Sequence, residues 1–82
     1  MHLYVAFLGG SLGEGRMGED HEVVTIVAED RADANTRAKA KWRGPGRSHV
    51  DALQRIDMVD GFRVDLVPAG SGDYGTLYGY ND

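Results

Sequence analysis

Apolar positions along this 82-residue chain follow two different rhythms. Leu3 to Leu8 (Leu-Tyr-Val-Ala-Phe-Leu) is continuously apolar and stops at Gly9-Gly10. A short run without alternation predicts a strand covered on both faces and central in its sheet. Gly9 to Asp20 holds five glycines and predicts a loop. Glu22 to Glu29, rich in Val, Thr and Ile, predicts a second strand.

The rhythm then becomes helical. Asp30 suits an N-cap, because its carboxylate can accept the free N–H groups of a first turn, and Asp33 adds favourable charge there. Ala34, Ala38 and Trp42 fall at i, i+4 and i+8 and share one face. Lys39, Lys41 and Arg43 suit the negative C-terminal end, and Gly44-Pro45-Gly46 provides a stop. The predicted helix runs from Asp30 to Trp42 or Arg43, its small side chains letting it lie close to a sheet.

Residues 48–53 read either as a helical turn capped by Ser48 or as the early start of a strand. Beyond them, Asp60-Gly61 separates two alternating runs, a hairpin signal. A three-residue loop, Val59-Asp60-Gly61, with Gly61 in the left-handed position of a bulge, sets Met58 opposite Phe62 and Ile56 opposite Val64. It also sets Asp57 opposite Arg63 and Arg55 opposite Asp65. Apolar and opposite-charge pairs then segregate onto two faces, so this is the predicted register.

The order β-β-α-β-β predicts an α+β domain: a four-stranded mixed or antiparallel sheet with one helix on one face. A single domain is expected over residues 1–68. Residues 69–82 form a Gly/Tyr-rich tail, expected to be partly ordered or disordered. Tyr74, Leu77, Tyr78 and Tyr80 make it too apolar for a pure linker.

Length and composition narrow the picture. A domain of this size buries only about 60% of its unfolded surface. The chain has no cysteine, so neither a disulfide nor a zinc–thiolate site can reinforce it. Dimerisation is a remaining route to further burial, and a homodimer is expected. The absence of cysteine suits the cytoplasm. No apolar stretch reaches the roughly 20 residues of a membrane span. Met1-His2-Leu3-Tyr4 reads directly as a strand rather than as a signal peptide.

The net charge of −4 conceals an asymmetry. Residues 31–47 carry Arg31, Arg37, Lys39, Lys41, Arg43 and Arg47 against the single acid Asp33. Residues 1–30 carry Arg16 against six acids. The basic stretch, with Trp42, is a candidate polyanion or nucleic-acid contact, or else a solvated helix face beside an acidic remainder.

Gly13-Glu14-Gly15-Arg16-Met17-Gly18 matches the dinucleotide fingerprint G-x-G-x-x-G letter for letter. That mechanism requires a helix to begin there, with its N–H groups facing the pyrophosphate. A predicted strand follows instead, and Glu14, Glu19, Asp20 and Glu22 would repel phosphate. Dinucleotide binding is therefore rejected. Ser11, Ser48 and Ser71 have no nucleophile-elbow context.

Two histidines amid carboxylates remain. His21 lies in Glu19-Asp20-His21-Glu22, and His49 is two residues before Asp51. On a strand, His49 and Asp51 would share a face. His21, His49 and Asp51 are candidate metal ligands, since two imidazoles with a carboxylate suit zinc, iron or manganese. His21, His49, Asp51, Asp20 and Trp42 are the candidate binding residues. The structural alternative is that each histidine merely anchors a strand entrance. The residues point to no particular cofactor and form no complete catalytic set.

The opening strand ending in Leu8-Gly9-Gly10, the glycine-rich loop, and His21 before a Val-rich strand come in a characteristic order. Trp42, His49-Val50-Asp51 and Val59-Asp60-Gly61-Phe62 continue it. Over residues 3–68 this order resembles a family of small bacterial proteins, domain of unknown function 1543. The family pattern carries an acid-His-Asp run at the second strand, where this chain has Glu22, a longer carboxylate. The tail after Pro68 has no counterpart in it. The resemblance implies a fold and a bacterial origin, and no reaction.

The leading expectation is a non-enzymatic binding or self-association module. The alternative is a metal-assisted or acid–base hydrolase using the His21 and His49 clusters, which requires the two to meet in space. The third is polyanion or nucleic-acid binding through Arg31–Arg47.

Overall fold

The computed structural model describes residues 1–10, 20–44 and 46–70. The G-x-G-x-x-G segment and most of the C-terminal tail lie outside the described residues.

Strand β1 (His2–Gly10) is central, flanked by β2 (Asp20–Ala28) and β3 (Ser48–Ile56), in the order β2-β1-β3. Both neighbours run antiparallel to β1. They are therefore parallel to each other, and helix α1 (Arg31–Ala40) carries the chain between them, making a split β-α-β unit. A two-residue pair, β4 (Met58–Val59) and β5 (Phe62–Arg63), forms a separate small sheet. The α+β class stands, but the main sheet has three strands rather than the expected four. The run before the turn is divided: Arg55 and Ile56 belong to β3 in the main sheet, and Met58–Val59 pair with Phe62–Arg63 apart from it.

One face of the sheet meets the helix. Tyr4, Ala6 and Leu8 of β1, Ile26 and Ala28 of β2, and Ala34 and Ala38 of α1 are buried together. Val24, Trp42, Val50 and Leu53 pack around them. Alanine at i and i+4 lets the helix backbone approach the sheet, as its spacing predicts. Asp30 is the N-cap, its Oδ1 accepting from Asp33 N–H at 2.8 Å. Asp33 in turn accepts from Glu29 N–H at 3.1 Å, so acid and backbone satisfy each other at the helix entrance.

The helix stops at Ala40, short of the predicted Trp42 or Arg43. Lys41 N–H donates back to Ala38 O and Trp42 N–H to Lys39 O, tightening the last turn to i→i+3 and swinging the indole onto the core. Residues 48–53 resolve as strand. Gly9 and Gly10 continue β1 instead of ending it, because each is paired on both sides: Gly9 with His21 and His49, Gly10 with Asp20 and Ser48.

Two further expectations are corrected. Strand β1 is central, as its apolar run implies, but among the described residues only one face is covered. On the other, Phe7 is 43% exposed and Val23 58%. The hairpin loop has two residues and not three, pairing Val59 with Phe62 and Met58 with Arg63. Asp60 and Gly61 take φ of 53° and 84°, both left-handed, the geometry of a type I′ turn whose twist matches its strands. The charges that favoured the other register pair along each strand: Arg55 Nε to Asp57 at 2.9 Å and Arg63 Nη2 to Asp65 at 2.9 Å. Met58, Val59 and Phe62 are all exposed, so no buried face imposes a register on this arm.

Candidate functional site

The split β-α-β topology brings the two histidine clusters together. Strands β2 and β3 both begin at the C-terminal end of β1. His21 and His49, each the second residue of its strand, are both register partners of Gly9. Strand spacing puts their backbones about 10 Å apart across β1, and Gly9 places no side chain between them.

A β-bulge completes the arrangement. Phe7 pairs with Ala52 and Leu8 with Val50, leaving Asp51 as the extra residue. Its carboxylate lies 3.0 Å from His49 Nε2 and 3.6 Å from His21 Nδ1. Both imidazoles thus touch one carboxylate. All three side chains are 40–65% accessible and sit at the rim of the uncovered sheet face. A cleft of about 410 Å³ between α1 and β3 is lined by Arg31, Asn35 and Asp51, so Asp51 also borders space beside the edge strand. A carboxylate between two accessible imidazoles can orient the rings. Among the described residues, no group of three or more His, Asp or Glu is arranged to hold a metal ion.

Glu22 and Trp42 separate from this centre, whereas Asp20 sits at the strand entrance beside it. Asp20, the first residue of β2, is the register partner of Gly10. Glu22 does not join His21. Alternation turns it toward the helix side, where it is paired with Arg43 and its Oε1 has no hydrogen-bond partner. Trp42 also lies on the helix side, half-buried against Gly10. A Cβ at Gly10 would stand 2.9 Å from Trp42 Cζ2 and 2.7 Å from Arg47 O. The sheet therefore separates Trp42 from the histidines.

The uncovered sheet face is a further candidate surface, made of apolar residue types that carry no chemistry of their own. Leu3, Val5 and Phe7 of β1 lie between Val23 and Val27 of β2 and Ala52 and Ile56 of β3, interrupted by Thr25 and Gln54. The unbroken apolar run of β1 was its sequence signal, since a strand with a solvated face normally alternates.

A displaced carboxyl pKa is found away from this site, at Asp33. Glu29 N–H and the Arg37 guanidinium, at 3.0 Å, hold Asp33 below the usual carboxylate value.

Among the described residues, no helix is long and apolar enough to cross a membrane. No curated protein and no solved structure matches the chain. A family model, Domain of Unknown Function (DUF1543), matches residues 16–66, a span that includes both histidines, Asp51, Trp42 and the hairpin. That span is more than half of the sequence, and the chain belongs to the DUF1543 family.

Proposed function

We propose that this protein is a binding module that associates with a second copy of itself through the uncovered face of its three-stranded sheet. The observation that carries the reading is the apolar character of that face, with Phe7, Val23 and Val27 all exposed. The covered side is thin: Tyr4 and Leu8 are its only large, fully buried side chains among the described residues. A flat apolar sheet face is self-complementary under a two-fold axis, and two such faces pack about 10 Å apart. Light scattering after size exclusion tests this. The wild-type chain is expected to run as a dimer and Val23→Asp as a folded monomer. A wild-type monomer that persists on concentration overturns the reading.

A second reading rests on the meeting of His21, Asp51 and His49: an acid–base centre of a hydrolase, with the carboxylate orienting the imidazoles. Hydrolysis of an activated phosphodiester or ester is expected to fall at least about tenfold in His49→Ala and Asp51→Asn. A parallel thermal-shift titration with zinc distinguishes a metal-assisted form, because binding to the folded state raises Tm. Equal background rates in wild type and both variants overturn the hydrolytic reading.

A further inference from the structure

We infer that the C-terminal end of α1 carries a binding site for a small phosphate monoester, formed by Lys39, Arg47, Ser48 and Trp42. The basic stretch from Arg31 to Arg47 divides into two groups. Four of its six cations are engaged by the protein: Arg31 donates to Leu53 O at 3.2 Å, Arg37 pairs with Asp33, Lys41 donates to Thr25 O at 2.7 Å, and Arg43 pairs with Glu22. These four tie α1 and the segment after it to the sheet or stabilise the helix itself. Lys39 and Arg47 do neither and have no acceptor among the described residues. Within this stretch, Lys39 and Arg47 are the two cations with neither a carboxylate nor a carbonyl acceptor among the described residues.

These two line the same cavity. It has a volume of about 440 Å³ and is open to solvent, and Trp42, Gly44, Gly46 and Ser48 complete its wall. That volume falls within the range of small-molecule sites. The chemistry of the wall selects the ligand. Arg47 offers a planar fork of donors suited to phosphate, and Lys39 a compact point charge. Ser48 adds a hydroxyl, and the Trp42 indole an apolar surface for the body that bears the phosphate. The indole Nε1–H is buried and has no acceptor among the described residues. The carbonyls of Ala38 and Lys39, which would repel an anion at this helix end, are already accepting from Lys41 and Trp42 N–H. The site lies on the helix side of the sheet and does not depend on self-association through the uncovered face.

Trp42 is the sole tryptophan of the chain, so its emission reports on this cavity. With phenyl phosphate at constant ionic strength, a saturable change in Trp42 emission is expected, and inorganic phosphate should displace it competitively. Lys39→Gln and Arg47→Gln each weaken binding by about fivefold, the scale of one exposed charged contact. Lys39→Arg retains it, and phenol alone produces no saturable change. Both neutralised positions are exposed, and circular dichroism confirms that the variants fold. Any of three results overturns the proposal: no saturable change up to about 20 mM phenyl phosphate, equal affinity in the doubly neutralised variant, or an equal response to phenol.

Discussion

Gly10 is a residue whose importance lies in what it lacks. It pairs on both sides at the end of β1. A methyl group there would meet Arg47 O at 2.7 Å, Trp42 Cζ2 at 2.9 Å and Ser48 Cα at 3.3 Å. Two of these three atoms are backbone and cannot swing aside, so Gly10→Ala is an overpacking change. It is expected to cost about 1–3 kcal/mol and to shift Trp42 emission, measured by denaturant unfolding and fluorescence of the same sample. An unchanged midpoint would mean that the loop before β3 yields freely. Asp33 acts at the same scale through charge. Its carboxyl is held below the ordinary value of 3.8 by Glu29 N–H and the Arg37 guanidinium. A group with a depressed folded-state pKa contributes stability above its unfolded pKa and loses it as pH falls through the folded one. Asp33→Asn is therefore expected to lower Tm near neutrality and to leave a shallower decline between about pH 5 and pH 3. Parallel acid limbs for the two proteins would remove Asp33 from the account.

At the scale of elements, the hairpin arm is the part held most lightly. Its strands have two residues each, its apolar side chains are exposed, and Phe62 reaches 76%. Its conformation rests on the left-handed pair Asp60-Gly61 and on the hydrogen bond from Val64 N–H to Asp57 O at 2.8 Å. Gly61 has open space around it, so Gly61→Ala acts through backbone strain alone, by about 1 kcal/mol. Faster amide exchange at Val64 with little change in global Tm is the expected result, because the arm opens apart from the sheet. The same contrast explains what the sequence disclosed. The α1 cap at Asp30 and the buried Ala34–Ala38 face were legible because local chemistry and burial agree there. The identities of β1 and β2 were legible for the same reason. The hairpin register was not, because charges satisfied along one strand look in sequence like charges satisfied across two. The meeting of His21 and His49 was not legible either. It requires β2 and β3 to lie on opposite sides of β1 and to run in the same direction, and strand order leaves no local trace. The bulge that frees Asp51 is equally invisible in the residues around it.

For the whole molecule, the question is how so small a domain remains folded. Its covered core is built largely from alanine and from residues of modest volume around Tyr4 and Leu8. The uncovered face carries Phe7, Val23 and Val27 in water, and the hairpin adds Met58, Val59 and Phe62. Removing such side chains from water is worth roughly 25 cal/mol per Å² of apolar surface. A second copy seated on the sheet face would thus add burial beyond what the described residues supply. Folding coupled to association has a signature that a monomer lacks: the apparent Tm depends on protein concentration. The wild-type Tm is expected to rise measurably as concentration increases from about 2 to about 200 μM. Val23→Asp places a charge within the proposed interface, beside Phe7. It should lower Tm and also make it independent of concentration, since the equilibrium is then unimolecular. Phe62→Ser, on the hairpin arm, is the control, and it should leave the concentration dependence intact if the sheet face alone forms the contact. Loss of that dependence in Phe62→Ser would instead assign the arm to the interface. A wild-type Tm that does not move with concentration would show that the uncovered face stands in water, and self-association would then not be what stabilises this domain.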